Sequence, residues 1–583
     1  MRAQFAWRSK LLLAALGAFG LLIVGQVLRI QHSHEAATFR QLSQLNATEL
    51  RTFYPDRGEI FDRSGHLLAG NQTVFEIGVD LNVVRDAEAI AEAVSRQLGL
   101  DFGAILGAIR SPPEGLTYLV LADYVEAEEA AALQQLKLSF EEQAPEATAG
   151  PLRGLEFRPH PHRSYPERAL GSNVLGFVNR EGRGYFGVEE KYDNLLSGAP
   201  VQVVVPTDPN KALEIPQVPD GTTLVLTVNR DLQAASEQIL DEALATYGAQ
   251  GGTIIVMDPR NGEILSMAVT PRLDPNYFWN YGVVFQNASE FNPAISMPYE
   301  PGSVLKILTM AAALENGTVA PTTPFLDTGE ILVGGATIKN WNGEAWGQQD
   351  MTGCMQHSLN VCLAWVSTQM GAQAFYGFMD NFGLGHRTGI DLAGESAGRL
   401  KVPGDSDWYP VDLGTNAFGQ GVAVTPVQML MAASSIANRG RTVTPHVVYA
   451  MMRDGRQYNV PAQYAGSPIS EQTAGTLTDM LTFSLEKESS QALLPGYRVA
   501  GKTGTAQIPT PFGLYDASGT NASFIGWGPV DDPQFMIYVW LERPSASIWG
   551  SETAAPIFAD VAARTVLLMD IPPDDVRQAI AAR

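Results

Sequence analysis

The apolar positions begin as one unbroken run. Arg2, Arg8 and Lys10 precede Leu11 to Leu28, a stretch without a charged residue. As a helix that run is about 27 Å long, near the thickness of a bilayer's hydrocarbon core. The basic flank favours keeping the N-terminus in the cytoplasm. A cleaved signal peptide is the rival, but its apolar region is usually only about 7–15 residues long. No convincing small-x-small cleavage site follows in VLRIQHSHEAATFR. The expectation is a single-pass anchor in the plasma or inner membrane (residues 1–30). Everything after about residue 30 then lies outside the cytoplasm, away from ATP and NAD.

Beyond the anchor the pattern changes several times. Residues 31–50 read as a polar helical stalk. Ser64-Gly65 marks a turn between strand-like runs, and VFEIGVDL follows in near-alternation. Residues 84–145 look helical and acidic, broken at Ser111-Pro112-Pro113. Residues 51–215 are taken as a separate, non-catalytic pedestal module of mixed α+β type. From about 220, TTLVLTVN reads as a strand and DLQAASEQILDEALATY as an amphipathic helix. GGTIIVMDPRNGEILSMAV reads as two strands joined by a Pro-Arg-Asn-Gly turn. A mostly helical middle fills 300–440, strands return at TNASFIGWGPV and QFMIYVWLER, and AAPIFADVAARTVLLM closes with a helix. Strands early and late with helices between predict an antiparallel sheet flanked by helices, an α+β domain over 216–583. The tail from Ile571 is expected to be loose, and no 20–50-residue repeat is visible.

Composition narrows the function classes. A chain of 583 residues is too long for one core and suggests roughly three or four domains. With 39 basic and 62 acidic residues the net charge is −23, which opposes nucleic acid as a partner. Lysine is scarce, with nine in the chain. Cys354 and Cys362 are the only cysteines, within a stretch that reads as one helix (MQHSLNVCLAWVSTQM). Eight residues of helix separate them by roughly 12 Å, too far for a disulfide, so two buried thiols are expected. The eight histidines show no HExxH or paired Cys/His spacing, so no metal site is expected.

Three stretches look like chemistry. Gly182 to Gly187 (GRGYFG) matches GxGxxG, but FVNRE before it is not a buried strand, so it reads as a turn. Gly496 to Thr503 (GYRVAGKT) matches a phosphate-binding loop. YRVA, however, reads as a strand, and Gly504 and Pro509 oppose a helix opening at the lysine. The third is EPGSVLKI, with Ser303 and Lys306 three apart after a Pro-Gly turn. On a helix they share a face, and burial would lower the lysine pKa so that a neutral amine could take the serine proton. A capping serine beside a snorkelling lysine explains the stretch equally well. The spacing is cheap: Ser484 to Lys487 repeats it in what reads as a solvated helix end.

Two further elements decide between these. Ser358-Leu359-Asn360 lies 55 residues after Ser303, and Lys502-Thr503-Gly504-Thr505 begins 142 residues after Asn360. SxxK, SxN and KTG in that order occur together in penicillin-recognising enzymes. With them the chain resembles a class B penicillin-binding protein, a membrane-anchored peptidoglycan D,D-transpeptidase. RGEIFDRSGHLLA and RSYPERALGSNVLGFVNREGRGYFGVEEKYDNLLSG resemble the signatures of its pedestal, and FGQGVAVTPVQM and VAGKTGTAQ follow in family order.

The resemblance implies roles. Ser303 would be the acylated nucleophile and Lys306 its base. Ser358 would relay a proton, Asn360 would hold the donor amide, and Lys502 would tune Ser358. Thr503 and Thr505 would bind the substrate carboxylate beside Gly504, and the N–H groups of Ser303 and Thr505 would form the oxyanion hole. Stem peptides would be substrates, β-lactams inhibitors, and no cofactor is implied. A SEDS-family glycosyltransferase and other division proteins are the implied partners. The FGQGVAVTPVQM and VAGKTGTAQ stretches lean toward the septal rather than the lateral-elongation type. A β-lactamase or sensor and a non-catalytic scaffold are the rival functions.

Overall fold

The computed structural model describes residues 2–32, 36, 48–143, 150–206, 218–286, 290–487, 491–510 and 515–582. They form two compact units, Met1–Asp56 with Gly198–Gly221, and Arg57–Ser197 with Thr222–Arg583. The first unit contains helix α1 (Arg2–Gln31) and an antiparallel pair, Thr48–Phe53 with Val201–Pro206. Lys10–Gln31 is the one helix among the described residues that is long and apolar enough to cross a membrane. Most of the stalk expected over 31–50 lies outside the described residues, and residues 48–50 already belong to a strand rather than a helix.

The second unit is organised by a five-stranded sheet. Its strands are β1 (Gly251–Met257), β2 (Ile264–Val269), β3 (Ala500–Pro509), β4 (Tyr515–Gly528) and β5 (Phe535–Glu542), in the order β2-β1-β5-β4-β3, all antiparallel. Alternation divides its core. Ile255, Met257, Met536, Tyr538 and Trp540 face one hydrophobic cluster, and Ile254, Val256, Ile537, Val539 and Leu541 face another. Helices α2 (Arg230–Tyr247) and α6 (Ala554–Leu568) cover the second face, α2 capped by the Asn229 side chain and by Gly248 in the left-handed region. The first face carries α3 (Lys306–Glu315), α4 (Met351–Gln356), α5 (Asn360–Met370) and the wholly buried Pro426–Ala437 helix. The α+β expectation is met by helices on both faces of an antiparallel sheet.

A second, seven-stranded sheet brings Ile60–Phe61, Leu67–Asp80, Tyr118–Glu126 and Leu155–Ser164 together with Thr223–Leu226 and the Val448–Asn459 hairpin. Tyr118–Glu126 lies in the stretch read as helical. Its run of Tyr, Leu and Val pairs along Leu67–Asp80, and the acidic helix begins only at Ala127. The two pedestal signatures bind each other. Arg57 reaches Glu189 at 2.7 Å and Asp193 at 2.8 Å, and Arg163 reaches Glu189 at 2.8 Å. The GxGxxG stretch is a turn, with Gly182 at φ 77° between the paired Phe177–Val178 and Gly184–Tyr185. The tail is not loose: Asp574–Ala581 is helical, and Asp574 accepts from the Arg498 N–H at 2.7 Å.

Candidate active site

Lys306 opens α3 out of a short 3-10 turn, Gly302–Leu305, which carries Ser303. The residues around the lysine are apolar, so the backbone buries it completely. It does not snorkel. Its Nζ lies 2.6 Å from the Ser358 carbonyl oxygen, 3.1 Å from Ser358 Oγ and 2.8 Å from Asn360 Oδ1. Among the described residues its hydrogen bonds run to this pair, and the expected contact with Ser303 Oγ is not one of them. Burial holds the Lys306 pKa well below its ordinary value, and the nearby positive charge of Lys502 pushes the same way.

The SxN stretch reaches the lysine because the helix read through it is broken. α4 ends at Gln356, α5 starts at Asn360, and Ser358 takes φ 53° between them. That left-handed residue turns the chain so that both Ser358 and Asn360 face Lys306. The same break corrects the reading of the cysteines. Cys354 and Cys362 are not separated by eight residues of helix: their Cα atoms are 6.1 Å apart and they form a disulfide. The bond brackets Ser358 and Asn360, and both cysteines are buried.

The third element is the edge strand β3. Lys502 is buried, and Thr503 and Thr505, two apart on one face, are half-buried. The phosphate-loop match fails here, since its lysine sits in a strand paired with β4 and not at a helix start. β3 passes tightly over the Ser303 turn. A Cβ on Gly504 would stand 2.3 Å from Ser523 Oγ, 3.0 Å from Val304 Cγ1 and 3.1 Å from the Pro301 carbonyl. Gly302, at φ 57°, lies under Thr505, and its N–H donates to the Gly419 carbonyl at 3.0 Å. The second SxxK match is elsewhere: Ser484 is buried and donates to the Met480 carbonyl, and Lys487 lies over Phe483 at the helix end.

Sequence reasoning missed several neighbours. Glu300 Oε1 accepts from the Gly421 N–H at 2.9 Å and from Tyr515 Oη at 3.4 Å. Thr505 Oγ1 accepts from the Gly550 N–H at 3.1 Å. Trp341 and Trp549 meet edge-on, with ring centroids 5.2 Å apart. The glycines of FGQGVAVTPVQM and the glutamate before Pro301-Gly302 were the available signals. Gly550 and the tryptophans carried none.

Comparison with known proteins converges on one family. Residues 252–563 match the penicillin binding protein transpeptidase domain, and residues 52–217 match the penicillin-binding protein dimerisation domain. Stage V sporulation protein D of Bacillus subtilis is 34% identical over 524 residues, covering 87% of this chain and 78% of its own. The peptidoglycan D,D-transpeptidase FtsI of Escherichia coli is 27% identical over 582 residues, covering 98% and 93%. Penicillin binding protein 3 of Mycobacterium tuberculosis, solved with aztreonam, superposes with TM-score 0.67 at 26% identity, covering 90% of this chain and 98% of that one. Penicillin binding protein 2X of Streptococcus thermophilus shares the fold, with TM-score 0.72 at 22% identity over 90% and 80%.

Proposed function

The chain belongs to the penicillin-binding protein family, in its class B branch, and we propose that it cross-links peptidoglycan through an acyl-enzyme on Ser303. It is a peptidoglycan D,D-transpeptidase of cell wall synthesis. The observation that carries the serine mechanism is the buried Lys306 amine held against Ser358 and Asn360. A neutral amine has two N–H donors, which the Ser358 carbonyl and Asn360 Oδ1 can absorb, and one lone pair. That lone pair takes the Ser303 proton as Oγ attacks the carbonyl of the penultimate D-Ala.

The tetrahedral oxyanion is met by the N–H groups of Ser303 and Thr505, which the close passage of β3 over the turn keeps together. Thr503 and Thr505 hold the terminal carboxylate beside Lys502, and Asn360 orients the donor amide. Ser358 hands a proton to the leaving D-Ala nitrogen. An amine of a second stem peptide then attacks the ester, takes the acyl group and releases Ser303. β-Lactams acylate the same serine as analogues of D-Ala-D-Ala.

Other features support the cellular setting. α1 anchors the chain with its N-terminus in the cytoplasm and the transpeptidase unit outside, consistent with the basic residues before Leu11. Similarity to FtsI and to a sporulation protein supports a septal role. A SEDS-family glycosyltransferase and division proteins are the partners that go with it. The test is labelling of the protein by a fluorescent penicillin. Parent protein takes up a stable label, Ser303→Ala takes up none, and equal labelling of both removes the mechanism. Rapid loss of the label would point instead to a hydrolase.

A further inference from the structure

Residues 417–421 form a loop that seats the turn carrying Ser303. Gly302 donates its N–H to the Gly419 carbonyl at 3.0 Å. The fit leaves no room for a side chain on either side. A Cβ on Gly419 would stand 2.2 Å from the Gly302 carbonyl oxygen, and a Cβ on Gly302 would stand 2.9 Å from the Thr505 carbonyl oxygen. The Ser303 N–H belongs to the peptide between Gly302 and Ser303. It is therefore aimed by a glycine wedged between β3 and the loop.

The loop has its own anchor in Asn416, which is fully buried. Asn416 Nδ2 donates to the Gln420 carbonyl at 2.8 Å and closes the loop on itself. Asn416 Oδ1 accepts from Tyr376 Oη at 3.0 Å, and Tyr376 Oη accepts from Trp408 Nε1 at 2.8 Å. The two ends fix the direction of this chain. An indole N–H only donates and a backbone carbonyl only accepts, so the tyrosine proton points at Asn416 Oδ1 and the amide N–H at Gln420. Burial pushes the Tyr376 hydroxyl up to about 12, which keeps that proton in place. Hydrogen bonds aligned head to tail in a low-dielectric interior reinforce one another.

We infer that Asn416 is a positioning residue of the oxyanion hole, holding the loop that seats Gly302 and, through it, the N–H of Ser303. The inference rests on the proposed acyl-enzyme reading. It concerns the donors that meet the developing negative charge, not the base that takes the proton. Without the Asn416 amide the Gln420 carbonyl is released, Gly419 shifts, and Gly302 loses its seat under Thr505. The Ser303 N–H then meets the oxyanion at a poorer angle. The groups that hold a ligand before reaction stay where they are, so the loss falls on the transition state and not on the initial complex.

The test uses two variants of the full chain in detergent. Asn416→Asp keeps the shape and the acceptor but loses the donor to Gln420. Tyr376→Phe leaves Asn416 in place but removes the proton that orients its amide. Stopped-flow penicillin acylation over a range of concentrations separates the dissociation constant of the initial complex from the limiting acylation rate. A whole oxyanion-hole donor is worth about 10²–10³ in rate, so a misaligned one should cost at least about tenfold. The limiting rate should fall by that much in Asn416→Asp and by less in Tyr376→Phe, with the dissociation constant within about twofold of the parent's. The midpoint of the pH–rate profile, which reports the base, should not move. A boronic acid, whose tetrahedral adduct places an oxygen in the same hole, should lose affinity by the same factor as the rate. Unchanged limiting rates in both folded variants overturn the inference. So does a parallel loss of binding and rate, a shifted pH profile, or an undiminished boronate affinity. If Asn416→Asp fails to fold by circular dichroism, Tyr376→Phe decides by the same readings. A parent that takes up no penicillin at all is a distinct outcome, the failure of the acyl-enzyme reading itself.

Discussion

Cys354 and Cys362 are joined across the three-residue break that contains Ser358 and ends at Asn360, the first residue of α5. The left-handed backbone of Ser358 costs roughly 1–2 kcal/mol for a non-glycine residue. The disulfide closes a short loop around it, so the strained conformation that aims Ser358 and Asn360 at Lys306 is the one the covalent link retains. Cys354→Ser/Cys362→Ser, or reduction by a dithiol, should lower stability by about 2–3 kcal/mol. It should also slow penicillin acylation by on the order of tenfold, as Ser358 relaxes toward ordinary backbone. Thermal denaturation and labelling rates check the two effects. Unchanged labelling in the reduced, folded protein would show that the break holds its shape without the bond.

Lys306 gives the clearest test of the proposed chemistry. Lys306→Ala should fold yet acylate more slowly by on the order of 10²–10⁴-fold, the usual contribution of a positioned base. The proton balance predicts a pH signature. The folded pKa lies well below the ordinary lysine value, so between the two the unfolded chain holds a proton that the folded chain lacks. Stability therefore rises with pH through that window, by up to about 1.4 kcal/mol per unit from this group, and levels off above about pH 10.5. Urea denaturation of the parent and of Lys306→Met across pH 7–11 isolates it: the parent's stability should gain on the variant's as pH rises. Acylation itself should fall away only when pH drops through the depressed pKa.

Gly504 tests the close passage of β3 over the Ser303 turn. An added methyl would meet Ser523 Oγ, which can rotate away, but also the Pro301 carbonyl at 3.1 Å, which cannot. Gly504→Ala should cost about 1–3 kcal/mol through overpacking. A misplacement of the strand should slow acylation by up to about a hundredfold. Stopped-flow acylation alongside thermal melting separates the two. A variant as fast as the parent would show that Thr505 tolerates displacement from Ser303.

Much of this was legible in the chain. GGTIIVM and FMIYVWLE are short unbroken apolar runs, which predict strands buried on both faces, and in the structure successive residues do face two different clusters. SxxK, SxN and KTG were readable as a set, since the chemistry fixes residue types at short spacing. What the pattern hid were places where tertiary contacts override it. MQHSLNVCLAWVSTQM has helical periodicity on both sides of Ser358, so neither the break nor the disulfide had a local signal. Tyr118–Glu126 runs into an acidic helix with no Gly or Pro to mark the boundary. Lys306 was expected to face Ser303 from its i, i+3 spacing, whereas its hydrogen bonds run to residues more than fifty positions away.

Glu189 offers a test away from the reaction. Its side chain is fully buried and serves two guanidinium groups, Arg57 and Arg163, whose own side chains are 9% and 1% exposed. The three residues come from separate stretches of the pedestal, and Tyr165 Oη donates to the same carboxylate at 3.3 Å. Removing the shared anion strands the buried Arg163 and leaves Arg57 with Asp193 as its remaining carboxylate. Breaking a buried ion pair in this one-sided way typically costs about 3–5 kcal/mol, more than the pair itself contributes, because the remaining charge has lost water and gained nothing. Glu189→Ala should therefore lower the melting temperature by several degrees or more and increase proteolysis around residues 57–197. Fluorescent penicillin should still label Ser303 at low temperature, because none of the groups around Lys306 touches this network. Loss of labelling in a variant that remains folded by circular dichroism would mean that the network supports the Ser303 site directly.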